Sequence, residues 1–339
     1  GDLKAPPFWD LSEGRSVIIN VPSTYPVRKM NGVHISGFVS IDFAKSIHPK
    51  SLVPLLDSMD YRLDVDAQKA HESIDDFLVD LDQTLDARIE AYRYLWDNQE
   101  WQTFMLVFTG TDRLMHFLWD AYDDKDHKHH DSFVRHFRKI DEAIGEIAGK
   151  MDNGDQLIML SDHGFERLEK DVYVNHLLAS EGFLTLDPDA EPGLAGISSA
   201  TKAFALDPGR IFINERGKYP AGSVGPADAD ACLKDLEDLF ASLQTDGRRV
   251  MKYIHRKQDV YSGPYLDDAA DLILVAEKGF NLKGRISSEE LFSKGPFTGK
   301  HTYPDAFLLL ADGDLADGLP DDASVTDAGK MIQNLVKRQ

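Results

Sequence analysis

Two patterns of apolar residues alternate along the first half of the chain. Residues 15–21 (RSVIINV) are a short β-branched run closed by Pro22, which predicts a strand. Pro22, Pro26, Asn31 and Gly32 then give 22–34 the chemistry of a loop. Residues 45–60 read as turns with one short helix after Pro49. From Ala67 to Trp101 the period changes: Ile74, Phe77, Leu78, Leu81 and Leu85, then Ile89, Tyr92 and Leu95, recur at steps of three and four, the mark of an amphipathic helix. Thr103–Thr109 (TFMLVFT) is a continuous apolar run, as in a parallel strand covered on both faces. Helices are predicted over about 112–122 and from 131 to 150, and residues 156–160 (QLIML) form a second buried strand.

Beyond Phe165 short β-like runs (210–214, 250–255, 271–276) lie among turns such as Asp207-Pro208-Gly209 and Ser262-Gly263-Pro264, with a helix near 227–243 between them. Residues 306–311 (AFLLLA) then give a further core strand and 325–336 a closing helix. The alternation predicts an α/β fold: a doubly wound, mostly parallel sheet flanked by helices, with an inserted α+β subdomain. The core is assigned to 1–184 and 291–339, and the insert, as a cap, to 185–290.

Three polar clusters stand where a buried strand meets a loop or helix, the edge at which open α/β sheets place their ligands. In the first, Thr109 to His116, Asp112 and His116 are four apart on one helix face, so a carboxylate and an imidazole can share an ion. The second is Ser161-Asp162-His163-Gly164 and the third Gly299-Lys300-His301-Thr302. Taken singly, each has a plainer reading: a helix cap with a surface histidine, a polar turn, a solvated histidine. Together Asp112, His116, Asp162, His163 and His301 make a donor set suited to zinc or manganese. Five ligands exceed one tetrahedral site, and two ions about 4 Å apart favour attack at a phosphoryl centre.

Composition narrows the alternatives. The 339 residues are 42% hydrophobic, enough for a substantial core, and 37 Lys and Arg against 58 Asp and Glu leave a net charge of −21. That excess argues against a nucleic-acid duplex or an anionic membrane as partner. The single cysteine, Cys232, excludes an internal disulfide framework and a cysteine-rich zinc module. No apolar run approaches the roughly 20 residues of a membrane-spanning helix. The run His127-Lys128-His129-His130 sits among Asp123, Asp124, Asp126 and Asp131 and reads as a solvated turn.

The ordered set Asp-x-x-x-His, Ser-Asp-His-Gly and Gly-x-His-Thr resembles the alkaline phosphatase superfamily. The likeness is greatest to its type I phosphodiesterase/nucleotide pyrophosphatase branch. It extends over nearly the whole chain through Pro-Phe-Trp-Asp-Leu at 7–11, Ile-Asn-Val-Pro-Ser-Thr-Tyr-Pro at 19–26, Ala-Leu-Asp-Pro-Gly-Arg-Ile-Phe-Ile-Asn at 205–214 and Tyr-Ser-Gly-Pro-Tyr at 261–265. The resemblance implies a two-metal phosphoric ester hydrolase. Asp112, His116 and His301 would bind one zinc, and Asp162 and His163 would supply half the ligands of the other. Apart from the resemblance, Lys202, Arg210 and Lys300 could meet a phosphate, and Lys300 is favoured because it adjoins His301; the substrate would be a small nucleotide-like or phosphate-ester molecule.

In the family an aspartate and a Thr or Ser nucleophile precede the Pro-Phe-Trp-Asp-Leu stretch, and this sequence has no counterpart of either. Thr24 reads as a turn residue and Thr111 as a helix cap. Residues 1–14 lack an initiator Met, a basic leader and an apolar leader core. The expectation is therefore a truncated or mature form without the first strand and nucleophile segment, inactive by itself. The compartment is left open by these residues, the absence of disulfides leaning it to the cytoplasm. Two other readings stand beside this one: a phosphoglycerate-mutase-like phosphotransferase, and a non-catalytic metal-binding domain.

Overall fold

The structure, a computed structural model, describes residues 5–187, 189–190, 193–207, 209–286, 288–311, 315, 318–320 and 322–337. It divides into two compact units, residues 1–165 with 301–339, and residues 166–300.

The first unit is built on a four-stranded sheet. Strand β1 (Ser16–Val21) carries Val17, Ile18 and Ile19, all fully buried, as a strand covered on both faces requires. Strand β2 (Gly32–Ser36) runs parallel to it in the register Ser16↔Gly32 to Ile19↔Ile35. A short β3 (Ile47–His48) pairs antiparallel with β2. Helices α1 (Val53–Ser58), α2 (Gln68–Glu72) and α3 (Ile74–Asn98) follow. Strand β4 (Thr103–Leu106) then returns parallel to β1 on its other side, giving the order β3-β2-β1-β4. Helices α4 (Gly110–Asp123) and α5 (His130–Lys150) come next.

The helical stretch expected over 67–101 is divided at Ser73, whose extended backbone stops α2 and whose hydroxyl accepts from the Asp76 N–H to cap α3. Asp75 and Asp76 in the first turn of α3 add favourable charge at its positive end. The buried stripe Leu85, Ile89, Tyr92 and Leu95 then packs with Ile140 and Ala143 of α5 against Val17, Ile19, Val33 and Ile35 of the sheet. One row of apolar side chains thus fixes two helices over one face. Tyr92 and Leu95 are completely enclosed.

The α/β class with a parallel-containing sheet holds, and three particulars differ from the sequence reading. Strand β2 lies at the end of the span read as loop: its Val33 and Ile35 alternate, but the Pro and Gly before them mask the pattern. Residues 103–109 give a strand only to Leu106, half-buried rather than enclosed. The QLIML and AFLLLA segments do not extend the parallel sheet. Ile158–Leu160 and Leu308–Leu310 pair antiparallel with each other. Leu160 and Leu309 there remain 45% and 48% exposed.

The second unit has its own core. Met251–Arg256, Leu272–Ala276, Arg210–Ile213 and Ala203–Asp207 form an antiparallel sheet in that order. Helix Ala229–Ser242 packs Leu236 and Phe240 into this core. The unit starts and ends outside the 185–290 span of the expected insert. Lys170–Tyr173 pairs with Phe280–Lys283 and with Phe292–Ser293, so strands from both flanks of that span are hydrogen-bonded within this unit. In the expected turn at Asp207-Pro208-Gly209, Pro208 lies outside the described residues, and Gly209 takes a φ of 75°. Among the described residues no helix is long and apolar enough to cross a membrane.

Candidate metal centre

Asp112, His116, Asp162, His163 and His301 all belong to the first unit. Strand β4 ends at Leu106, and after Val107 and Phe108 the chain turns into α4 with Thr109 as its N-cap. The turn is close against α5: a Cβ on Gly110 would stand 2.7 Å from His136 Nε2, so any larger residue would have to displace that buried ring. Helix α4 then presents Asp112 and His116 one turn apart. Gly164 has a similar part on the opposite side, where a Cβ would fall 2.6 Å from Asp305 Cβ and 2.7 Å from Thr302 Oγ1. Its small size, rather than a sharp bend, is what the local packing uses.

His301 Nε2 lies 2.9 Å from Asp112 Oδ1 and 3.0 Å from His116 Nε2, and His116 Nε2 lies 3.6 Å from Asp112 Oδ1. Four donors around zinc at bonds of about 2.0–2.1 Å stand roughly 3.3–3.4 Å apart in a tetrahedron. The three observed separations bracket that spacing, so the triad fits a single small divalent cation. Among the described residues Asp112, His116 and His301 form a group of three donors close enough to hold one ion.

His163 is brought to the same place. Its ring stacks on that of His301, with centroids 3.7 Å apart and an interplanar angle of 22°, and its Nε2 is 3.9 Å from Asp112 Oδ1. Asp162 is at its edge: Oδ2 lies 3.6 Å from His163 Nε2, and the side chain is 87% exposed. Asp162 and His163 are therefore adjacent to the triad and to each other, as a partial ligand set. Phe165 backs the cluster, its ring centroid 4.9 Å from that of His116 and 5.0 Å from that of His301.

The electrostatics favour a charged ligand set. Burial resists ionisation of Asp112, but the His301 hydrogen bond, with the neighbouring charges of His116, His301 and Arg113, outweighs it and holds the carboxyl below its ordinary pKa. Cation binding needs that ionised form. Lys300 is engaged elsewhere, with Nζ 3.1 Å from Glu166 Oε1.

Two hydroxyls considered from sequence have other duties. Thr24 Oγ1 donates to the Val21 carbonyl at 2.8 Å. Thr111 lies inside α4 and does not cap it, its Oγ1 reaching the Phe108 carbonyl at 3.4 Å. The His127–His130 run is more ordered than a solvated turn: His129 is buried with Nδ1 3.6 Å from Asp75 Oδ1, and His130 opens α5. Sequence reasoning passed over Phe165, Arg113 and Asp64. Phe165 and Arg113 directly adjoin the motifs, whereas nothing near Asp64 in sequence marks it.

An α/β fold bearing an Asp/His cluster of this kind is found in the alkaline phosphatase superfamily. Within it, the family described as Type I phosphodiesterase / nucleotide pyrophosphatase matches residues 4–304, and the chain belongs to that family. No curated protein matches it in sequence. Among solved structures it is similar to phosphonoacetate hydrolase from Sinorhizobium meliloti. The complex of that protein with phosphonoformate aligns at 10% identity and a TM-score of 0.46, over 95% of this chain and 70% of the other. Its complex with phosphonoacetate aligns at 11% identity and a TM-score of 0.40, over 76% and 56%.

Proposed function

We propose that the chain is the metal-binding part of a phosphodiesterase-type hydrolase of phosphoric esters. The observation that carries this reading is the convergence of Asp112 Oδ1, His116 Nε2 and His301 Nε2, from positions 189 and 185 residues apart in sequence, onto one cation-sized point. Zinc suits two imidazoles and a carboxylate, with manganese as the second choice. Asp162 and His163 contribute to a second cation completed by groups outside the described residues. Bound there, divalent cations would supply positive charge to phosphoryl oxygens.

The chain's own residues hold and orient. Asp112 stays ionised, His163 braces His301 by stacking, and Phe165 closes one side of the cluster to water. The attacking Thr or Ser belongs, in this proposal, to a segment other than the residues described, because Thr24 donates to the Val21 carbonyl and Thr111 lies within α4. The substrate class is a small phosphate ester or nucleotide-like molecule.

Hydrolysis of a bis-aryl phosphate in the presence of zinc, followed by release of the coloured phenol, tests this. Protein that also carries the segment with the Thr or Ser is expected to turn over, and the 339-residue chain alone to be inert. Isomerisation of phosphoglycerate without diester hydrolysis, or equal turnover by the chain alone, would contradict the proposal.

A further inference from the structure

Arg113 follows Asp112 directly, which sets a permanent cation beside a proposed cation ligand. A guanidinium fork that closed on the Asp112 carboxylate would occupy both oxygens in a bidentate pair and remove the ligand. The structure shows the fork turned elsewhere. Arg113 Nη2 and Nε lie 2.7 and 3.2 Å from Asp64 Oδ2, true hydrogen bonds, whereas Nη1 stands 3.5 Å from Asp112 Oδ2. The ring of Phe38 covers the guanidinium at 4.7 Å. Asp112 Oδ1 is left facing His301 and His116.

Asp64 is held in place from both sides. On one side Arg88 Nη2 donates to the carbonyls of Arg62 and Leu63 at 3.1 and 3.2 Å. On the other, Asp80 Oδ2 accepts from the Asp66 N–H at 2.8 Å, while Asp80 Oδ1 receives Arg62 Nη1 at 2.6 Å. Arg88 and Asp80 are both buried side chains of α3. Two buried charged side chains of α3 thus fix the backbone on either side of Asp64. Asp64 Oδ1 is moreover enclosed without a hydrogen-bond partner, although the side chains of the pair are only partly buried.

We infer that Asp64 is a positioning residue for the metal centre: it takes the guanidinium hydrogen bonds of Arg113, leaving the Asp112 carboxylate to the cation. This rests on the metal-centre reading proposed above. Its test uses the full chain with zinc alone, by competition against a chromophoric chelator, and the visible absorption of the cobalt-substituted protein. Thermal unfolding confirms that each variant is folded.

Asp64→Asn is expected to lower zinc affinity about 10- to 100-fold and to change the cobalt spectrum. Arg113→Met and the double variant D64N/R113M are expected to bind within about threefold of the unmodified chain, because the competing cation is gone. That rescue separates the inference from a merely structural role for Asp64, which removing Arg113 would not repair. Unchanged affinity in D64N overturns the inference, as does a double variant as weak as D64N. If D64N does not fold, Arg113→Met decides: a folded R113M with zinc affinity lowered tenfold or more overturns it. Failure of the unmodified chain to bind zinc would instead strike the metal-centre reading itself.

Discussion

His116→Ala lowers the affinity of the chain for zinc by on the order of a hundredfold or more, while His127→Ala leaves it within about twofold. The reason lies in the geometry. His116 Nε2 is one of three donors mutually 2.9–3.6 Å apart, and its loss leaves Asp112 and His301 as the remaining pair of the triad. Removing a group that merely supports a ligand typically costs 10- to 100-fold, and a ligand costs more. His127 belongs to a histidine-rich run, yet its Nε2 meets Asp120 Oδ2 at a distant 3.9 Å. A competition titration with the same chelator for both variants checks the contrast. Equal losses would mean that zinc binds the protein through scattered histidines.

The largest expected stability effect comes from His34, on β2 between Val33 and Ile35. Its ring is buried, with Nε2 3.2 Å from Thr24 Oγ1 and the edge of Trp9 against it. Burial first, and then repulsion from His48 in the paired strand β3, lower its pKa from 6.5 to about 4. The folded form therefore keeps the imidazole neutral where the unfolded chain takes up a proton. Below pH 6.5 the unfolded state binds more protons, so stability falls as pH drops from 6.5 towards 4 and is fully present above 6.5. The difference amounts to roughly 3 kcal/mol across that window. Urea unfolding at a series of pH values should show this slope, and His34→Gln should flatten it. A slope unchanged in the variant would assign the pH dependence to other groups.

What could be read in the sequence follows the range of the interactions. Strand β1 and helix α3 declare themselves because their burial is local: β-branched residues in a run, or a stripe at three- and four-residue steps. Strand β2 does not, since Val33 and Ile35 gain their burial from β1, and the prolines upstream obscure them. The pairing of Ile158–Leu160 with Leu308–Leu310 joins segments about 150 residues apart, and nothing in either run says that they pair antiparallel.

The candidate site was legible as separate clusters because Asp112 and His116 share a helix face and Asp162 and His163 follow a strand end, whereas His301 lies within the strand Gly299–Thr302. Its supports were not. Asp64 reaches Arg113 across 49 residues, and His136 sets the size limit at Gly110 from a different helix. Such contacts have no periodicity and no motif. They become visible once the backbone has brought the residues together.

The claim on which the account depends is that Asp112, His116 and His301 hold a divalent cation. Anomalous diffraction at the zinc edge, from crystals of the chain grown with zinc, tests it most directly. A peak is expected about 2.0–2.2 Å from His116 Nε2, His301 Nε2 and an oxygen of Asp112. Ordered side chains at these three positions without a peak between them, in crystals carrying zinc elsewhere on the surface, would contradict it.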